Sequence, residues 1–93
     1  MQFIVYCLDH SQMAERRRAH FEEHKARLQA STLRALIAGP LIELDGTVSG
    51  SFFHYESDDI ETVRRFVLDD PFNTAGIWKT VDIWRFENRA DSH

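Results

Sequence analysis

The sequence predicts an α+β domain in which four strands and two helices follow in the order β-α-β-β-α-β. Three observations predict it. The chain opens and closes on apolar runs rich in β-branched and aromatic residues, Phe3 to Leu8 and Ile77 to Phe86, the composition of strands. Two stretches carry apolar or inward residues at helical spacing, Arg17-Phe21-His24-Leu28 and Ile60-Val63-Val67. Between them lies a hairpin signal, Asp45-Gly46, two residues that tolerate the positive φ of a tight turn. With right-handed crossovers this order gives a four-stranded antiparallel sheet with both helices on one face, the ferredoxin-like arrangement.

Each element has its own local reason. The first strand, about residues 2 to 8, is a continuous apolar run bounded by Asp9-His10-Ser11, the pattern of a strand buried on both faces. Asp9 or Ser11 can cap the helix that follows, over about residues 11 to 31. In LRALIAGPLIEL, about residues 33 to 42 form the second strand, and Pro40 confines it to an edge or a bulge because it brings no amide proton to a ladder. The third strand runs over about residues 47 to 56. Asp58-Asp59-Ile60-Glu61 reads as a capped helix start, and this helix, about residues 58 to 69, must stop before Pro71, since the residue ahead of a proline is pushed out of the α region. A last strand, about residues 77 to 86, holds both tryptophans. The domain therefore occupies residues 1–87, and 88–93 form a polar tail.

Composition excludes several classes of function. With 43% hydrophobic and 28% charged residues the chain is globular, and no apolar run approaches the roughly 20 residues that cross a bilayer. MQFIVYCLDH lacks the basic leader and small-residue cleavage site of a signal peptide, so the expected location is the cytoplasm. A net charge of −4 argues against nucleic acid as a partner, and the local basic spot Arg16-Arg17-Arg18 has Glu15, Glu22 and Glu23 beside it. The single cysteine, Cys7, excludes an intrachain disulfide and reads as a core residue. Of five histidines only His20 and His24 have ligand spacing on a helix, but His20 points about 100° away from Phe21 on the inward stripe and no third ligand is nominated, so no metal site is expected. Glycine-rich phosphate loops and nucleophile elbows are also missing, and no cofactor is expected.

Alternation along the strands raises a second point. Phe3, Val5 and Cys7 face one way from the first strand and Ile4, Tyr6 and Leu8 the other, while the last strand sets Val81 and Ile83 against Trp78, Trp84 and Phe86. Both faces of the sheet are thus apolar, and two helices cover only one. A second copy packed sheet to sheet is the simplest cover for so small a chain, so a homodimer or higher homo-oligomer is expected; the competing reading is a small-molecule pocket on that open face.

The stripe of the first helix carries the functional clue. Arg17, Phe21, His24 and Leu28 share it, so an imidazole and a guanidinium point inward where leucines would pack with less desolvation. His24 is either a core histidine satisfied by backbone or part of a site. The whole chain resembles the YCII (YciI-like) family, small proteins with a dimeric α+β barrel fold. The likeness rests on Arg17 followed by His24-Lys25-Ala26-Arg27-Leu28, then Ala38-Gly39-Pro40, Ser49-Gly50-Ser51, Asp70-Pro71-Phe72 and Ala75-Gly76, in order and at the family's spacing. Family members often carry Arg-Pro just before the histidine. Here Phe21-Glu22 stands instead, and the helix is expected to run through unbroken. The resemblance implies an acid/base pair of His24 and Asp70, with Phe72 beside them as a ligand contact.

Topology points to the same pairing. The first strand ends, the first helix and the third strand begin, and the second helix ends at one edge of the sheet, which brings Arg17, Ser51 and Asp70 together. A carboxylate on one imidazole nitrogen fixes the tautomer and leaves the other free to accept a proton. Ser49 and Ser51 offer polar contacts to a ligand, and Arg17 can hold an anionic group or an oxyanion. Two functions follow: a small cofactor-independent acid/base enzyme acting on a small organic substrate by isomerase, lyase or dehydrochlorinase-like proton transfer, or a non-catalytic dimer that binds a small ligand.

Overall fold

In a computed structural model that describes residues 1–90, the chain runs β1 (Gln2–Asp9), α1 (Ala14–Ala30), β2 (Arg34–Ile42), β3 (Val48–Glu56), α2 (Ile60–Leu68), α3 (Pro71–Thr74) and β4 (Trp78–Phe86). The strands form one sheet in the order β2-β3-β1-β4, every neighbouring pair antiparallel. This is the expected ferredoxin-like order, with β2 and its Pro40 on an edge. Of the expected polar tail, 88–90 lie outside any helix or strand and 91–93 lie outside the described residues.

Alternation sorts the strands as their pleat requires. Phe3, Val5 and Cys7 of β1 pair with Tyr55, Phe53 and Ser51 of β3, and all six are buried. They meet Val63 and Val67 of α2 and Phe72 of α3 in a single core. The opposite face of β1 is not buried within one chain: Tyr6 and Leu8 are exposed, and further along the same face Trp84, at 67%, and Phe86 of β4 stand opposite Ile4 and Gln2. The expectation of a strand buried on both faces holds for one face only.

Trp78 also departs from simple alternation. A bulge opposite Leu8 and Asp9 pairs Asp9 with Trp78 and Leu8 with Thr80, so one extra residue turns Trp78 to the helix side, away from Trp84 and Phe86. Trp78 is buried among Phe53 and Phe72.

The helix starts differ as well. α1 begins at Ala14 behind Met13, which offers no side-chain cap, so neither Asp9 nor Ser11 caps it. Asp9 is drawn off by Arg17 instead. α2 is capped by Asp59, whose carboxylate accepts from the Thr62 amide at 2.7 Å. The one-turn helix α3 is an addition to the expected elements. Asp70-Pro71, read from the sequence only as the end of the preceding helix, also starts this one, because aspartate favours the cap and proline the first helical position, where no amide proton is needed.

Candidate active site

Asp70 is the cap of α3. Its extended backbone lets one carboxylate oxygen accept from the Phe72 amide at 2.8 Å, while the residue itself is buried. That leaves a desolvated carboxylate facing α1, where His24 is the one buried residue of the helix. His24 Nδ1 lies 2.9 and 2.8 Å from the two Asp70 oxygens. A carboxylate at this position only accepts, so the geometry suits Nδ1 as the donor and leaves Nε2 as the ring nitrogen that can accept from a ligand. Among the described residues Nε2 has no hydrogen-bond partner. The Phe72 ring stacks on the imidazole at 4.0 Å and 5°, holding the ring plane that the carboxylate orients. Arg27 stands 3.7 Å from Asp70, donates to the Phe66 carbonyl at 3.1 Å and covers the Phe66 ring.

A second cluster adjoins the first. Arg17 Nε donates to Asp9 at 2.6 Å, and Nη2 reaches the other Asp9 oxygen at 2.9 Å, the Gly50 carbonyl at 2.9 Å and Ser51 Oγ at 3.0 Å. The fork thereby ties α1 to the end of β1 and the start of β3, as the shared edge predicts. The guanidinium also lies over Phe72, 4.8 Å from its centroid. Ser51 Oγ accepts a further bond from Trp78 Nε1 at 3.3 Å, so its own proton is left to donate. β1 and β3 approach closely here because position 50 is glycine: a Cβ there would run into the Cys7 carbonyl.

Both clusters open on a cavity of about 370 Å³ between α1 and the β2–β3 pair, on the helix side of the sheet and not on its open face. Arg17, His24, Lys25, Ser51, Phe53, Phe72 and the Ala38-Gly39-Pro40 run line it. A neighbouring cavity of about 530 Å³ shares Arg17, Phe21, Pro40 and Phe72 and extends to the β2–β3 turn at Gly46 and Thr47. Phe21, on the inward stripe by spacing, is 47% exposed and forms the apolar lip between the two. Five of the six singled-out residues, Arg17, His24, Ser51, Asp70 and Phe72, are thus gathered at one place. Ser49 is not: it is half-buried, outside both cavities and without a side-chain hydrogen bond among the described residues.

Several contributors escaped the pattern. Asp9 looked like a cap, although its place at the end of β1 put it on the same edge as Arg17. Lys25 was visible only as a motif residue, and Phe53 and Trp78 only as core. Cys7, beneath the site, is no nucleophile. Burial above all, then the Asp70 and Asp9 carboxylates, pushes its thiol from 9.0 up to about 12. Among the described residues no group of three or more His, Cys, Asp and Glu is placed to hold a metal ion, and no helix is long and apolar enough to cross a membrane.

The model of the YCII-related domain matches residues 1–87. The chain belongs to the YCII-related family. Its α1 runs unbroken through Phe21-Glu22, as expected. Among solved structures, this YCII chain is similar to 5-chloro-2-hydroxyhydroquinone dehydrochlorinase (TftG) from Burkholderia phenoliruptrix AC1100, in complex with 2,5-dihydroxybenzoquinone, at 27% identity and TM-score 0.85 over 94% of each chain. It shares its fold with a NIPSNAP domain protein from Burkholderia xenovorans, at 13% identity and TM-score 0.55 over 99% of this chain and 97% of that one. Rv0793 from Mycobacterium tuberculosis has the same fold at 14% identity and TM-score 0.52 over 97% of each chain. A comparison with curated protein sequences returns no match.

Proposed function

We propose that this protein is a small acid/base enzyme that needs no cofactor, in which His24, oriented by Asp70, moves a proton on a hydroxylated aromatic or quinoid ring. One observation carries the reading: Nδ1 is held by both oxygens of a buried carboxylate, while Nε2, unpartnered, belongs to a side chain that lines an apolar cavity. Nε2 accepts a proton from a ring hydroxyl or an acidic carbon, and the electron pair moves into the ring system. If the imidazolium returns the proton to another ring atom the outcome is an isomerisation. If the ring carbon that takes up the proton carries chlorine, it becomes tetrahedral; loss of a second hydroxyl proton then forms a new ring double bond as chloride leaves, so proton and halide depart as HCl and the outcome is an elimination. Neither route needs an oxidant or reductant. Asp70 stabilises the imidazolium that forms between the two half-steps.

The likeness to the TftG dehydrochlorinase supports the elimination, and the complex of that protein with 2,5-dihydroxybenzoquinone supports a ring of this size and polarity. Phe72 and Phe53 suit a flat ring, and the spare Ser51 proton suits one of its oxygens. Chloride release from 5-chloro-2-hydroxyhydroquinone, followed with the wild type and with His24→Asn, tests the reading. Turnover by the wild type and its loss in the variant support it. Undiminished turnover in the variant, or none in the wild type, overturns it in favour of a ligand-binding module.

The working form we propose is a homodimer through the open face of the sheet. Trp84, Phe86, Tyr6, Leu8 and Ile37 are all exposed in the single chain, too much apolar surface to leave in water. A stable monomer in sedimentation at micromolar concentration would refute it.

A further inference from the structure

The charges around the cavity leave one cation over. Arg17 is paired with Asp9 at 2.6 Å, and Arg27 stands 3.7 Å from Asp70, so each of these carboxylates has a cation beside it. Lys25, next to His24 in the chain, lines the same cavity and takes part in no ion pair among the described residues. Arg18, on the neighbouring cavity, is equally without one. Among the described residues no aspartate or glutamate lines either cavity, although the chain has 15 of them against 11 Lys and Arg. In an acidic protein, walls that present only positive charge are a selective feature. Lysine is also the long, flexible cation whose ammonium can follow a ligand oxygen at the mouth of a cleft.

We propose that Lys25 is a specificity-determining residue that selects planar rings bearing a negative charge, such as a phenolate, an enolate of a hydroxyquinone or a ring carboxylate. This rests on the reading of the His24 cavity as a ring-binding site. The ring lies among Phe53, Phe72 and the His24 edge, and its anionic oxygen is turned outward to the Lys25 ammonium. A neutral ring of the same shape gains the apolar contacts alone. The charge-assisted hydrogen bond to an anion adds to them and weakens as salt screens it.

Calorimetric titration with 4-nitrophenolate and with its uncharged methyl ether, 4-nitroanisole, at mildly alkaline pH tests this on the intact protein. Lys25 is exposed, so Lys25→Met leaves the fold in place. The expected result is that Kd for the phenolate rises about tenfold in Lys25→Met and also with added salt, while Kd for the ether is the same in both proteins. Arg18→Met, one cavity further out, should weaken the phenolate less than Lys25→Met does. The proposal is overturned if Lys25→Met leaves phenolate binding unchanged, weakens both rings alike, or matters less than Arg18→Met. Should the wild type bind neither ring, the ring-binding reading fails as well; binding of both rings equally removes the role of Lys25 alone.

Discussion

Replacing Asp70 by alanine removes three contacts at once, and their sum follows from the structure. The cap on the Phe72 amide is a buried side-chain acceptor at an N-terminus, and its loss costs about 1 kcal/mol. Nδ1 of His24 is left with a buried proton and no acceptor, a further cost of about 1–3 kcal/mol. Arg27 is 3.7 Å away with 30% of its side chain exposed, so solvent screening reduces its contribution to about zero. The expected loss is about 2–4 kcal/mol, or a Tm lower by roughly 10–25 °C for a chain this short. Asp70→Asn keeps an oxygen for the cap and should cost about 1 kcal/mol. Urea unfolding followed by the fluorescence of the buried Trp78 measures both. If Asp70→Ala stays within about 1 kcal/mol of the wild type, or Asp70→Asn proves as damaging as Asp70→Ala, the carboxylate does not hold His24 and the cap as described.

Three more outcomes are expected. Arg17→Met strands the Asp9 carboxylate, whose side chain is 3% exposed, and should destabilise by about 3–5 kcal/mol in the same assay, with Arg17→Lys intermediate because it restores the charge without the fork. Cys7, buried and with its thiol pushed up to about 12, should resist maleimide at neutral pH in the folded protein and react on unfolding in urea; rapid labelling of the native protein would contradict this burial. The bond from the Thr62 amide holds the Asp59 carboxyl below its ordinary 3.8. Its folded value is the lower one, so the contribution of this cap is complete above 3.8 and fades as pH falls through the folded value. Asp59→Asn, which still caps but does not titrate, should therefore flatten the acid limb of a stability-against-pH curve, and an unchanged limb would show that the cap does not act this way.

The order of elements was legible because it depends on local chemistry. Val63 and Val67, the Asp45-Gly46 turn, and Pro40 on an edge each act through the backbone of their own few residues. The His24–Asp70 approach was legible at one remove, since a ferredoxin-like crossover places the end of α2 beside the early turns of α1. Trp78 was misassigned because a bulge leaves no mark on an apolar run, in which a tryptophan fits either face. Asp9 was misread for a related reason: an acidic residue ahead of a helix suits a cap, and nothing nearby reveals that Arg17 will take its carboxylate. Ser49 was grouped with Ser51 on motif grounds, yet only Ser51 reaches the Arg17 fork and the cavity.

By itself, then, the sequence determined the alternation of strands and helices, the edge position of β2 and the inward direction of His24, all matters of periodicity and turn chemistry within one element. Tertiary structure decided the rest: that the cavity opens on the helix side, that Asp70 caps one helix while orienting a histidine on another, and that Lys25 is in no ion pair among the described residues. Those outcomes depend on distances between residues 33 to 46 positions apart, such as Arg17 to Gly50 and His24 to Asp70. Desolvation and charge pairing act on whichever groups the fold brings within a few ångströms, and that proximity exists only once the sheet has closed.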